Sequence, residues 1–146
     1  MVEVVLLDAG PLGLVSHPRP SMEAAAWLAQ LVVAGIEVLV PEIADYEVRR
    51  ELLRANRTRG IERLNEMKDE LGYLPITTEA MLRAAELWAE ARRHGRPTAG
   101  NESLDADVIL AAQAEMIRGR EVLVASTNPK HIKRFVPAED WRDIQP

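Results

Sequence analysis

Residues 2–13, VEVVLLDAGPLG, run a valine- and leucine-rich segment straight into an aspartate, Asp8, and a Gly-Pro pair. The run is apolar and β-branched without strict alternation, the pattern of a strand covered on both faces, and such strands belong to parallel sheets. A buried strand that ends on a carboxylate needs a reason, because an unpartnered charge beside an apolar core is costly. In open parallel sheets ligands gather where strands release their C-terminal ends. The polar residues at those ends are therefore the ones to collect.

Two more runs have the same character, IEVLV at 36–40 and EVLVAST at 121–127, and helical patterns separate all three. Ser21 caps a helix through about Ala34, with Gly35 as its stop. Pro41 fits the first turn of a long helix, PEIADYEVRRELLRAN, which Gly60 divides from a second, IERLNEMKDEL, ending at Gly72. Leu74 to Ile76 reads as a short strand. Thr77 or Thr78 then caps a helix to about His94, with Met81, Ala84, Ala85, Trp88 and Ala91 inward. HGRPTAGNES, 94–103, is the clearest loop, and LDADVILAAQAEMI after it is a helix apolar nearly all round. The tail RFVPAEDWRDI supplies an edge strand and a docking segment. Strands alternating with helices in this way predict a three-layer α/β/α sandwich with a mainly parallel sheet, formed by one domain over 1–146.

Composition narrows the chemistry. The chain has no cysteine and three scattered histidines, which excludes thiol nucleophiles and Cys/His zinc sites, so any metal would sit among oxygens. The N-terminus lacks a basic and apolar leader and no run reaches membrane-spanning length, so a cytoplasmic protein is expected. A net charge of −5 opposes broad nucleic-acid binding but leaves room for a local basic surface. Arg49, Arg50, Arg54, Arg57, Arg59 and Arg63 form the densest basic tract, with Lys130, Lys133 and Arg134 near the end; a solvated helix face is the plainer reading of most of them. Trp27 and Trp88 read as core, leaving Tyr46, Tyr73 and Trp141 as candidate stacking surfaces.

Each acid has an ordinary explanation when taken singly. Asp8 can accept backbone hydrogen bonds from the turn it enters, Asp105 can cap a helix, and Glu47 with Arg50 or Glu51 with Arg54 can be surface pairs. Asp107 stands beside Val108, Ile109, Leu110, Ala111 and Ala112 and needs a partner. Converging carboxylates would raise one another's pKa unless a cation compensates, and Mg²⁺ or Mn²⁺ suits an oxygen-only set.

In order along the chain, VVLLDAGPLG, IADYEVRREL, DADVILAAQA and VLVASTN resemble the four motif regions of PIN-domain nucleases, VapC-type toxins among them. The resemblance implies a Mg²⁺- or Mn²⁺-dependent endoribonuclease that hydrolyses RNA phosphodiesters, with an antitoxin protein as possible partner and a homodimer as the expected assembly. By position it makes Asp8, Glu47 and Asp107 metal-binding and catalytic acids and puts Asn128 where a fourth acid or an asparagine sits, at the start of a short helix opened by Pro129. Thr127 matches a common threonine; Asp105 is a further outer-shell acid. Arg50, Arg54 and Lys130 are candidate RNA contacts. Ala9 stands where a Thr or Ser is usual, so a hydroxyl beside Asp8 is missing. Three acids suffice for one ion held partly through water. The neutral Asn128 and Ala9 also keep open a second reading, a PIN-like RNA- or protein-binding module without catalysis. A haloacid-dehalogenase-type phosphatase would need an acid two residues after Asp8, where Gly10 stands, and GPLG is neither a dinucleotide fingerprint nor a Walker loop.

Overall fold

The computed structural model describes residues 1–94 and 101–146, the side chains of 101–103 excepted. Strand β1, Val4–Leu7, is entirely buried and occupies the middle of a five-stranded, all-parallel sheet, flanked by β2, Glu37–Pro41, and β4, Val122–Ser126. Short strands β3, Gly72–Leu74, and β5, Ala138–Asp140, close the two edges, giving the order β3-β2-β1-β4-β5. The β1 side chains alternate between two cores, Val4 and Leu6 into one and Val5 and Leu7 into the other. That two-sided burial is why the run shows no polar alternation.

Six helices cover the two faces among the described residues: α1 Ala9–Val15, α2 Met22–Val33, α3 Glu42–Arg54, α4 Thr58–Glu70, α5 Thr78–Arg93 and α6 Asn101–Glu115. Helices α5 and α6 pack together over the Val4/Leu6 face, where Ala80, Ala84, Leu87, Val108 and Ala111 meet. Leu12, Trp27, Leu31, Leu64 and Met67 bring α1, α2 and α4 to the Val5/Leu7 face. Helix α3 bridges the layers, with Ile43 in the first core and Ala44 in the second, and it packs on α1, α4 and α6. The expected three-layer sandwich is therefore what forms.

Several local expectations change. The Gly-Pro pair after Asp8 is not a turn but the start of α1: Asp8 is its N-cap, and Pro11 lies within the first turn, where a missing N–H costs nothing. Pro41 ends β2 and caps α3 instead of lying inside it. Gly60 does not divide the two helices that follow. The break falls at Asn56, whose φ of 54° is left-handed, and Gly60 sits within α4, where a Cβ would come 2.8 Å from Leu52 Cδ2. The third strand comes two residues early, at Gly72–Leu74. Of the loop expected over 94–103, residues 95–100 lie outside the described set, while 101–103 belong to α6.

On α5 the inward stripe is Ala80, Ala84, Leu87 and Ala91, so Met81 and Trp88 are left 46 % and 37 % exposed, and Trp88 is not core. An alanine-rich helix offers two adjacent apolar stripes, and packing on α6 selects between them. Thr77 is its cap, accepting from Ala80 N–H at 3.0 Å. The tail behaves as expected. It adds edge strand β5 and then buries Trp141 edge-on against Trp27, ring centroids 5.4 Å apart, while Trp27 Nε1–H donates to the Ile144 carbonyl at 3.0 Å. No described helix is long and apolar enough to cross a membrane.

Candidate metal centre

The strand order reverses direction at β1: the chain leaves it toward β2 and β3 and returns on its other side as β4 and β5. That switch point opens a crevice beyond the C-terminal ends of β1 and β4. Asp8 follows β1 directly, its N–H still donating to the Ala125 carbonyl at 2.9 Å in continuation of the ladder. One carboxylate oxygen, Oδ1, accepts from Ala9 N–H at 2.8 Å, and Oδ2 accepts from Ser126 Oγ at 2.9 Å. The ordinary capping role is thus real, and it uses one oxygen.

Glu47 on α3 and Asp107 on α6 approach from either side. Burial, then the charges of Asp8 and Asp107, push the Glu47 carboxyl up to about 7 against an opposing pull from Arg50. Burial and Asp8 push Asp107 up to about 6, with Arg134 pulling it down. Asp8 is itself raised by burial, offset by the Ala9 and Ser126 hydrogen bonds. Three acids from three elements therefore feel one another's field, and among the described residues none of them makes an ion pair. The Glu51–Arg54 pair does form, at 3.0 Å, whereas Arg50 lies over the Tyr46 ring, 5.2 Å from its centroid.

The other expected site residues are distributed unevenly. Thr127 and Asn128 are exposed just beyond β4, and the Thr127 side chain packs where a Cβ on Gly10 would overlap it. Asn128 does not begin a helix: residues 127–131 are bends and turns, and a single 3₁₀ turn follows at Ile132–Arg134. Its N–H donates to Ser126 Oγ at 3.1 Å. Asp105 caps nothing; it is the fifth residue of α6, exposed, and faces a groove lined by Met81 and Trp88. Arg54 is engaged by Glu51, Arg50 is exposed and acts on Glu47, and Lys130 is exposed two residues beyond Asn128. Of the stacking candidates, Trp141 is buried, Tyr73 lies under Lys68 at 4.2 Å, and Tyr46 is exposed.

Sequence reasoning placed Ser126 at a polar strand end and Arg134 in a basic group, but gave neither of them a carboxylate partner. Ser126 supplies the hydroxyl that Ala9 lacks, from the neighbouring strand, and its polarity at a strand end was the only available signal. Arg134 reaches Asp107 although 27 residues separate them in the chain. Among the described residues no three His, Asp or Glu side chains already stand together as a cation cage. The donor chemistry nonetheless fits a hard cation: oxygen-only, mutually repelling and without a protein counter-charge in contact.

An open α/β sandwich with carboxylates gathered at its switch point defines the class of this protein. The PIN domain family model matches residues 5–134, and the chain belongs to that family. No curated protein sequence matches it. Its fold is similar to that in VapBC2 from Rickettsia felis bound to a promoter DNA fragment, with a TM-score of 0.72, 16 % identity, and 94 % of this chain and 98 % of that one covered. FitAcB from Neisseria gonorrhoeae gives 0.72 at 22 % identity over 96 % and 99 %. VapBC-1 from nontypeable Haemophilus influenzae gives 0.70 at 18 % over 94 % and 98 %.

Proposed function

We propose that this chain acts as one domain over 1–146, a cytoplasmic, Mg²⁺- or Mn²⁺-dependent endoribonuclease that hydrolyses RNA phosphodiesters. The observation that carries the reading is that Asp8, Glu47 and Asp107 are all raised in pKa by burial, with Glu47 and Asp107 raised further by the charge of Asp8 at the end of a parallel strand. Asp8, Glu47 and Asp107 would hold the ion. Bound there, a divalent cation supplies charge neutralisation at the scissile phosphate and acidifies a water. Glu47 orients the attacking water by accepting its hydrogen bond, and Ser126 keeps the Asp8 carboxylate turned into the crevice. Arg50 and Arg134, one at each side of the acids, offer phosphate contacts, as does Lys130; Arg54, held by Glu51, contributes less.

Cleavage of labelled single-stranded RNA, with Mg²⁺, Mn²⁺ or chelator, tests this directly. Wild type is expected to cut only with metal, and Asp8→Asn or Asp107→Asn to lose at least 100-fold of that activity, on the order expected when a metal-site acid is lost, with an unchanged circular dichroism spectrum. Full activity in either variant rejects the site.

The likeness in fold to VapBC2 and FitAcB supports an antitoxin protein as partner for this chain, and a homodimer is the assembly we propose with it. A small DNA-binding protein encoded next to it, co-purifying with it, is the expected result. The second reading, a binding module without catalysis, draws on the exposed, neutral Asn128, which leaves three acids. RNA binding without cleavage, and without heat on Mn²⁺ titration, would select it.

A further inference from the structure

A groove of about 380 Å³ lies between α1, α3 and α4, and Glu47 forms part of its wall. Its floor and sides are small or apolar, chiefly Ala9, Gly13, Val48 and Leu52, with His17 on the rim. Gly13 is the unexplained residue. Glycine is the poorest helix former after proline, and α1 carries two in seven residues. Gly10 is required, because Thr127 fills the place of a Cβ; at Gly13 a Cβ would meet no atom within 4 Å. The fold itself asks for no glycine there. A glycine that neither the backbone nor a neighbour demands, facing a groove, is what a close-approaching ligand requires.

We infer that this groove is a nucleobase subsite, seating one unpaired base of the RNA next to the phosphate that the acids address. The inference rests on the nuclease reading for its ligand. Glu47 belongs to both the groove and the acid cluster, so an occupant of the groove is adjacent to the reacting phosphate. The groove lining includes no lysine or arginine and two glutamates, which disfavours a phosphate as its guest, while its apolar members suit the face of a base. The His17 ring is pre-set for stacking: its Nδ1 accepts from Arg19 N–H at 2.9 Å, which fixes the ring and leaves the proton of the neutral form on Nε2. Glu51, also on the wall, has its charge met by Arg54 and so does not repel a neutral base. The volume lies in the range of small-molecule sites.

The test is fluorescence anisotropy with a labelled single-stranded RNA and a set of twins, each carrying one abasic position, in Ca²⁺ with RNA integrity checked on gels. One internal abasic position is expected to weaken wild-type binding about tenfold, and Gly13→Leu, which fills the groove, to bind intact and abasic RNA alike. His17→Ala, outside any helix, should lose about threefold of the same discrimination and His17→Phe should restore it, so the test survives if Gly13→Leu does not fold. Absence of any sensitive position, or of RNA binding altogether, overturns the subsite. So does unchanged discrimination in Gly13→Leu and His17→Ala, which would leave the groove to another occupant such as an apolar segment of a protein partner. The cleavage assay separates the two readings: base discrimination without cleavage keeps the subsite and rejects the nuclease, and cleavage without discrimination does the reverse.

Discussion

At the scale of single residues, the acids are a stability liability that a cation relieves. Carboxyls raised to about 7 at Glu47 and about 6 at Asp107 hold protons in the folded state at pH values where the unfolded chain has released them. More protons on the folded than on the unfolded form means that stability falls as pH rises from the ordinary carboxylate range to about 7. In chelator, the melting temperature should therefore drop between pH 5 and pH 8, and Glu47→Gln should flatten the drop and melt higher than wild type at pH 8. Mn²⁺ at pH 8 should raise the wild-type value and leave Asp8→Asn unmoved. A wild-type melting temperature independent of pH would contradict this account. Asp8 and Asp107 were legible as charges stranded beside apolar runs. The partners of Ser126 and Arg134 were not, since nothing local says which carboxylate of another element a serine or an arginine will meet.

At the scale of elements, the relation between α3 and α6 sets the distance between Glu47 and Asp107. Pro41 offers α3 no side-chain cap, and the orphan N–H of Ile43 is taken instead by Gln113 Oε1 at 3.3 Å. The other end of the same amide, Nε2, donates to the Leu74 carbonyl at 2.8 Å, so one buried α6 side chain joins α3, α6 and β3. Gln113→Leu leaves one buried and one half-buried backbone group unpaired and should cost about 2–4 kcal/mol in urea unfolding. It should also weaken Mn²⁺ binding in calorimetry, because the acids ride on the helices it joins. A loss within about 0.5 kcal/mol would show that water serves as well. A glutamine inside AAQAE looks like a surface position, and its partners lie 70 and 39 residues away in the chain. Helix α1 was hidden for a different reason: Gly10, Pro11 and Gly13 together read as a turn, and the Asp8 cap prevailed over that composition.

At the scale of the whole molecule, the C-terminal tail closes one edge of the sheet and seals the second core. Trp141 is 4 % exposed and packs on Trp27, whose indole N–H is met by the Ile144 carbonyl. Trp141→Ala should cost about 3–5 kcal/mol in denaturant unfolding and, because Trp141 packs on Trp27 in the second core, should leave metal affinity nearly unchanged. A stability change below about 1 kcal/mol would mean the tail is peripheral. The tail's role was readable as an edge strand and a docking segment, but Trp141 also read as a free stacking surface. Only the position of Trp27 decides between them.

Taken alone, the sequence determined the class of fold, because three strands buried on both faces must lie in a parallel sheet between helices, and it marked Asp8, Glu47 and Asp107 by type and order. The composition, without cysteine, also limited any metal to oxygen ligands. What only the tertiary structure decided is which of those groups meet. The switch point brings β1 beside β4 across more than a hundred residues, so Ser126 reaches Asp8 and the acids of α3 and α6 share one crevice. It also turned Met81 and Trp88 outward and opened the groove at Gly13. Periodicity reports how a residue lies on its own element; which element packs against it is set by the minimum of the whole chain, and the field and the space around a side chain follow from that packing.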